Sequence, residues 1–463
     1  MQDSMKHLTA KDTVCRELWA YPVIDLTRPK IRTCCKRQGE IISKDMIDNL
    51  GTDVFLNLPN VVQDRQTALN GFQADRCYTC WSLENKGLKS FRLGPMDFQF
   101  HFNNDIGAPI HFSKFRPFEK LVEQRDEILY ADKPNKLDLQ LGSYCDQKCI
   151  YCDHNHSTQW ENENKKFGKI SLINPNTTIP IITESINSQV LDGYYETFLE
   201  WFDTIYEHLE RIALLGGEPT YSPLFVPVSE HIISRLKEKS HPNCTLSIIT
   251  NLNWKQKSLD QIMRIKHELP NINVVVEVSM ESVSDKAEYI RKGINWDRFV
   301  FNFNAIAKMG IEVKLITTIN ALCVSSILDY LKFVKDIEDR NHKNFTIIAN
   351  RLVTPFWLGM NILDNRYSHY IQDAIEWISK NYQGDRYFAK ADLNTALNDI
   401  LLQIKNPVDI IYKGYFSVWI DKVDQRRNQK FEDTFPELVD LIKEGRLLAL
   451  PTYDKYVFDE GEY

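Results

Sequence analysis

Leu141-Gly142-Ser143-Tyr144-Cys145-Asp146-Gln147-Lys148-Cys149-Ile150-Tyr151-Cys152 places three cysteines within eight residues, directly after the alternating run Leu137-Asp138-Leu139-Gln140-Leu141. Alternation of this kind is the period of a half-buried strand, so the stretch reads as a strand emptying into a thiolate-rich loop. Thiolates spaced C-x3-C-x2-C can hold three irons of a cubic 4Fe–4S cluster and leave the fourth without a protein ligand. An iron left open can bind a small molecule and pass it an electron. Two plainer readings compete. A zinc site wants a fourth Cys or His, and His154 and His156 are close by; buried thiols can also pack simply as small hydrophobes.

The surrounding composition narrows the choice. The chain has 463 residues, 43% hydrophobic and 26% charged, long enough for two or three domains and a sizeable core. A formal net charge of −7 gives no broad electrostatic reason to expect nucleic acid or an anionic membrane. No apolar run approaches the roughly 18 residues of a spanning helix. The start, Met1 to His7, has neither the apolar core nor the cleavage site of a secretion signal, so a cytoplasmic location is expected. In that reducing compartment the ten cysteines are poor disulfide candidates, and clustered ones point to metal or redox chemistry. Cys15, Cys34, Cys35, Cys77 and Cys80 cluster, as does the triplet. Cys244 and Cys323 stand alone and read as core.

Residues 1–95 are cysteine-rich and broken by Pro and Gly. Ala20–Leu26 and Lys30–Cys34 suggest a hairpin through Thr27-Arg28-Pro29, and Ser43–Leu50 suggests a helix. Cys15, Cys34 or Cys35, Cys77 and Cys80 supply four thiolates, enough for a second 4Fe–4S cluster or for a zinc staple of a small domain. Residues 96–136 form a connector with a helix expected over Phe118–Tyr130. Residues 153–190 are polar and Asn-rich, the loop expected to carry substrate contacts.

From residue 137 to about 360 the chain alternates strand and helix. Strands are expected at 211–215, 245–250, 273–280, 312–318 and 345–350, with helical patterns such as Leu259–Leu269 and Trp296–Ile306 between them. Six βα units predict an α/β fold: an open, partial (β/α)6 barrel of parallel strands with its site at the C-terminal strand ends. Residues 361–463 read as a C-terminal helical region without a catalytic motif, and Pro355 with Phe356-Trp357-Leu358 as closing the barrel side.

The strand ends carry the remaining candidates. Gly216-Gly217-Glu218-Pro219 follows the second strand; two glycines there let the backbone approach a ligand, although a plain tight turn would look the same. Asn251 ends the third strand, where an Asx turn is the bland reading. Glu277, Ser279 and Glu281 share one face of the fourth by its period of two and need a polar partner, either a ligand or salt bridges inside the barrel. Arg291 follows as a fork-shaped donor for a carboxylate, or as an exposed helix end. Thr317-Thr318-Ile319-Asn320 and Asn350-Arg351 end the last two strands.

Cys145, Cys149 and Cys152, with Tyr151 ahead of the last cysteine and the Gly216–Pro219 turn at the next strand end, resemble the signature of the radical S-adenosylmethionine (radical SAM) superfamily. The resemblance implies a catalytic cluster whose open iron chelates the amino and carboxyl groups of SAM. An electron then cleaves SAM to methionine and a 5′-deoxyadenosyl radical that abstracts hydrogen. It also implies that Tyr151, Gly216, Gly217, Glu218, Pro219, Asn251, Glu277, Ser279 and Arg291 surround the cofactor. Cys15, Cys34/Cys35, Cys77 and Cys80, with Ser90-Phe91-Arg92, resemble the SPASM or twitch auxiliary-cluster module, here ahead of the catalytic domain. The implied protein is an oxidoreductase fed by a donor such as flavodoxin or ferredoxin. Its implied substrate is a peptide or protein held between the two domains, with a small molecule or nucleoside as the second choice. Outside the enzyme class stands a zinc-stapled binding protein without turnover.

Overall fold

The computed structural model describes residues 10–85, 90–92, 129–170, 188–352, 354–405 and 410–449. Nine of its strands form a single sheet: β1 Pro22–Asp25, β2 Lys30–Thr33, β3 Glu40–Ile41, β4 Lys136–Gln140, β5 Arg211–Leu215, β6 Thr245–Thr250, β7 Asn273–Ser279, β8 Glu312–Ile319 and β9 Thr346–Arg351, in the order β9-β8-β7-β6-β5-β4-β1-β2-β3. Strands β4 to β9 are mutually parallel and adjacent in chain order. Parallel neighbours need crossovers. Among those crossovers are the helices Phe225–Glu238, Gln256–Glu268, Trp296–Lys308 and Ile327–Asn341. In β8, Val313, Leu315, Thr317 and Ile319 are buried, while Lys314, Ile316 and Thr318 on the other face are only half-buried. This is the α/β parallel sheet that the alternation predicts, followed by a helical C-terminal region.

The N-terminal cysteine-rich segment joins this sheet. Its predicted hairpin forms, and β1 also pairs in parallel with β4, with Val23 opposite Asp138. The Thr27-Arg28-Pro29 turn is held by Asp25, whose Oδ1 accepts from the Thr27 N–H, the Thr27 hydroxyl and the Arg28 N–H. That turn lies at the C-terminal end of the parallel strands, where the Arg28 Nη2 donates to the Asn155 carbonyl at 2.7 Å. At the other end of the hairpin the Cys34 N–H donates to the Tyr21 carbonyl at 2.5 Å. Cys34 and the cysteine loop therefore stand at opposite ends of the sheet, about five strand residues or roughly 17 Å apart.

Other departures are local. The polar stretch after Cys152 is not one loop: Ser157 accepts from the Trp160 N–H and caps the helix Thr158–Phe167, and a second helix spans Ser188–Ile205. Residues 171–187 between them, and the helix expected over 118–130 apart from its last two positions, lie outside the described residues. The helix Pro59–Leu69 was not anticipated; Pro59 takes its first turn, where a missing N–H costs nothing. In the C-terminal region the helices Ser368–Asn381, Ala391–Ile404, Ile410–Arg427 and Val439–Ala449 follow. The Phe356 and Trp357 rings pack on Tyr415 of the third of these. Cys244 and Cys323 are core residues. No helix among the described residues is long and apolar enough to cross a membrane.

Inside the sheet a buried charge network joins β1, β4, β5 and β7. The Tyr21 hydroxyl donates to Asp138 at 2.5 Å, Arg211 donates to the other Asp138 oxygen at 2.5 Å, and a second Arg211 nitrogen reaches Glu277 at 3.3 Å. Burial drives the Tyr21 hydroxyl well above its ordinary range, and the Asp138 carboxylate beside it adds to the effect. Replacing Asp138 by Ala leaves Arg211 short of one partner in a site that cannot hydrate it. Breaking a buried pair in this way costs about 3–5 kcal/mol. Asp138→Ala is therefore expected to lower the urea midpoint clearly; an unchanged midpoint would refute this account.

Candidate active site

The loop after β4 is built from backbone contacts. Gly217 N–H donates to the Gly142 carbonyl at 2.8 Å and Glu218 N–H to the Tyr144 carbonyl at 2.6 Å, so the Gly216-Gly217 turn is laced to the first half of the cysteine loop. A Cβ on Gly217 would stand 2.5 Å from the Tyr144 oxygen, 2.8 Å from Ser143 and 2.9 Å from His156, all backbone. Gly216, with φ +147°, would likewise meet the Gly142 oxygen at 2.5 Å. Both glycines are thus required by close approach. The second half of the loop pairs with the segment after the helix Ser284–Ile290: Lys148–Cys149 lie antiparallel to Arg291–Lys292, and Ile150 N–H donates to the Ile290 carbonyl.

Donors are aimed at the sulfurs. Gln147 N–H lies 3.4 Å from Cys145 Sγ, Asn251 Nδ2 3.9 Å from the same sulfur, and Arg291 Nη1 3.9 Å from Cys149 Sγ. Asn251 and Asn253 also clamp the two Asp146 oxygens, at 2.8 and 2.6 Å, so the end of β6 fixes the loop between the first two cysteines. Glu218 is turned inward. Its carboxylate accepts from the Thr250 and Thr220 hydroxyls, the Asn251 N–H and the Trp254 indole, and it is 1% exposed. Glu218 thereby joins the ends of β5 and β6.

The acidic face of β7 divides in the same way. Glu277 pairs with Arg211 inside the sheet, the salt-bridge reading of that face. Glu281 takes Arg291 through Nε at 3.0 Å and Nη2 at 2.6 Å, and the Tyr151 hydroxyl at 3.1 Å. Arg291 is buried, not an exposed helix end, and its fork is engaged by Glu281, where a ligand carboxylate was expected. Ser279 remains half-buried at the strand end and Pro219 is buried beside Glu218. Burial lifts the Cys145 and Cys152 thiols, and lifts Cys149 to about 11 against the pull of Arg291. Thiols so placed become thiolates when a cation takes the proton's place. Three unbridged cysteines, N–H groups directed at sulfur and a neighbouring guanidinium are a donor set suited to a thiolate-bound iron–sulfur cluster.

A second cavity lies at the opposite end of the sheet. Cys15, Cys34, Cys77 and Cys80 line it together with Trp81 and Arg92. Cys35 does not. Cys34 adopts φ +76°, a left-handed conformation that costs a side-chain-bearing residue about 1–2 kcal/mol. The chain retains it where glycine would be easier. Burial raises Cys15 far above the ordinary thiol range and Cys77 to about 12. A hydrogen bond shared with Cys35, then burial, raises Cys34. Arg92 lies 4.1 Å over the Trp81 ring and pairs with Glu84. Among the described residues no three His, Cys, Asp or Glu side chains are gathered closely enough to share a single metal ion. His154 and His156 follow the triplet, but His156 pairs with Asp153.

Several residues at the site escaped the sequence reading. Asp146 and Asn253 sit inside or beside quoted motifs, and their mutual contact needed the fold. Trp160, whose indole donates to the Cys149 carbonyl at 2.8 Å, lies on a helix whose Ser157 cap was legible. Arg427 and Asp424 come from the distant C-terminal helix; Asp424 accepts from the Tyr289 hydroxyl at 2.6 Å.

Residues 139–334 match the family model described as the radical SAM superfamily. No curated protein sequence matches the chain. Among solved structures, native anSMEcpe with bound AdoMet is similar at 14% identity and a TM-score of 0.35, over 56% of this chain and 63% of that one. Streptococcus suis SuiB bound to precursor peptide SuiA is similar at 13% identity and a TM-score of 0.34, over 82% and 75%. The chain thus spans less than two thirds of the length of anSMEcpe.

Two outcomes follow from this geometry. Gly217→Ala should fold, with an unchanged helical circular dichroism signal, yet lose most of the iron bound by the triplet, because the added methyl must push the cysteine loop away. Glu218 titrates in a defined direction: burial, opposed by its hydrogen bonds, raises its carboxyl from 4.5 to about 7. Between those values the folded chain holds a proton that the unfolded chain has released. Its contribution to stability is full below the lower value and is lost as pH rises through the upper, on the order of 3 kcal/mol. Relative to Glu218→Gln, the wild-type urea midpoint should therefore fall across that window; parallel curves would exclude it.

Proposed function

We propose, from the premise that residues 139–334 form a radical SAM domain, that this chain is an enzyme that reductively cleaves S-adenosylmethionine and abstracts a hydrogen atom from a peptide or protein substrate. The observation that carries the reading is the Cys145-Cys149-Cys152 loop locked to the Gly216-Gly217 turn by backbone bonds. These three cysteines would hold a 4Fe–4S cluster. When bound, such a cluster supplies the electron that cleaves SAM to methionine and the hydrogen-abstracting 5′-deoxyadenosyl radical.

The chain's own part is to hold and shield. Gly216 and Gly217 bring backbone next to the open side of the loop, and Asn251 and Asn253 fix Asp146. Arg291, neutralised by Glu281, leaves an N–H near Cys149, and Tyr151 is oriented by its bond to Glu281. Ser279, half-buried at the end of β7, faces the side where SAM would lie. The half-buried face of the sheet and the aromatic wall of Phe356 and Trp357 keep water from the reacting atoms.

The second pocket is read as an auxiliary 4Fe–4S site on Cys15, Cys34, Cys77 and Cys80. Four thiols meeting in one cavity, with Cys34 in a strained conformation, support it. Its position at the far end of the sheet favours an electron store or a staple over direct contact with substrate. A closed four-thiolate site in the same chain as an open three-thiolate site is the combination that resembles peptide- and protein-modifying enzymes. A small-molecule or nucleoside substrate is the second reading.

Anaerobic reconstitution with iron and sulfide, followed by SAM and dithionite, tests both sites. About eight irons per chain and release of 5′-deoxyadenosine are expected. The Cys145/Cys149/Cys152→Ala variant should keep about four irons and release none, and the Cys15/Cys77/Cys80→Ala variant should lose the other set. Zinc without sulfide in the second pocket would overturn the auxiliary cluster, and absence of SAM cleavage by the fully loaded wild type would overturn the enzyme.

A further inference from the structure

We propose that Arg427, the last residue of the helix Ile410–Arg427, is a positioning residue that adds positive charge on the Trp160 side of the cysteine loop and thereby tunes the reduction potential of the catalytic cluster; this rests on the reading that Cys145, Cys149 and Cys152 hold one. The helix lies in the region where the sequence carries no catalytic motif. Its end nevertheless reaches the cysteine loop. The Arg427 side chain is 0% exposed and pairs with Glu163, Nε to Oε2 at 3.3 Å. Glu163 also pairs with Lys148, the residue before Cys149. The Arg427 guanidinium lies 4.6 Å over the Trp160 ring, and the Trp160 indole N–H is bonded to the Cys149 carbonyl.

The layer is densely charged: Lys148 and Arg427 share Glu163, Arg291 is held by Glu281, and Asp146 lies in the loop between the first two cysteines. Arg427 Nη1 is buried without a hydrogen-bond partner among the described residues. A cation at a helix C-terminus is ordinary when exposed, but a buried guanidinium with an unused N–H is costly unless negative charge lies close. Glu163 supplies part of that charge, and a thiolate set on the cysteine loop, reached through Trp160, would supply the rest. Reduction adds one more negative charge at the cluster, so a fixed cation nearby favours the reduced form and raises the potential.

An electrochemical titration of the reconstituted triplet cluster, followed by electron paramagnetic resonance, tests the assignment. Arg427→Gln should shift the reduction equilibrium at least tenfold toward the oxidised form, about 59 mV for one electron, with iron and sulfide per chain unchanged. Arg427→Lys should stay near the wild type. Glu163→Gln, which removes the opposing carboxylate, should shift the equilibrium the other way. A role confined to packing would not give shifts of opposite sign. An unchanged potential in Arg427→Gln, or in Glu163→Gln should the former not fold, overturns the proposal. A wild type that binds no cluster on the triplet overturns instead the functional reading on which it rests.

Discussion

The cysteine loop has almost no regular structure of its own, and its shape depends on the backbone of the Gly216-Gly217 turn pressed against it. The two N–H bonds from Gly217 and Glu218 and the absence of any room for a Cβ at Gly217 make the ends of β4 and β5 a single unit. Everything placed around the loop builds outward from that contact. Glu218 carries it to β6 through Thr250 and Asn251, and Asn251 and Asn253 return it to the loop at Asp146. Such a chain of satisfied buried groups holds a site rigid before any ligand arrives.

Charge is the second constraint. Buried thiols resist ionisation, and each set is accompanied by arginines that are themselves held by carboxylates: Arg291 by Glu281, Arg427 by Glu163, Arg92 by Glu84. An arginine so paired stays in place and leaves part of its fork for a neighbour. The nine-stranded sheet connects the two thiol sets mechanically. Its β1–β2 hairpin touches the loop at Arg28 and Asn155 and carries Cys34 at its other end, with the Tyr21–Asp138–Arg211–Glu277 network between them.

Most of the fold was legible because it is written in short periods. The strands at 211–215 and 245–250 fall where the apolar runs stand, and β4 lies under the alternating run before Cys145. The helix Lys44–Leu50 starts at its Ser43 cap. The polar residues after Cys152 misled because composition outweighed the Ser157 cap that starts a helix there. For Glu277 the period left a ligand and a salt bridge both open, because it says which face a carboxylate occupies, not which cation the neighbouring strand brings to it.

The sequence by itself determined the spacing of the three cysteines, the Gly-Gly turn at the next strand end and the parallel α/β order, since each depends on residues close together in the chain. Tertiary structure decided that Cys34 and not Cys35 enters the four-cysteine cavity, that β1 extends the main sheet so that the cavity stands at the end opposite the cysteine loop, and that Arg427 lies over Trp160, whose indole is bonded to Cys149. These contacts join residues separated by tens to hundreds of positions. Local periodicity carries no information about them, because they are set by which buried surfaces and charges must meet when the sheet and its helices pack.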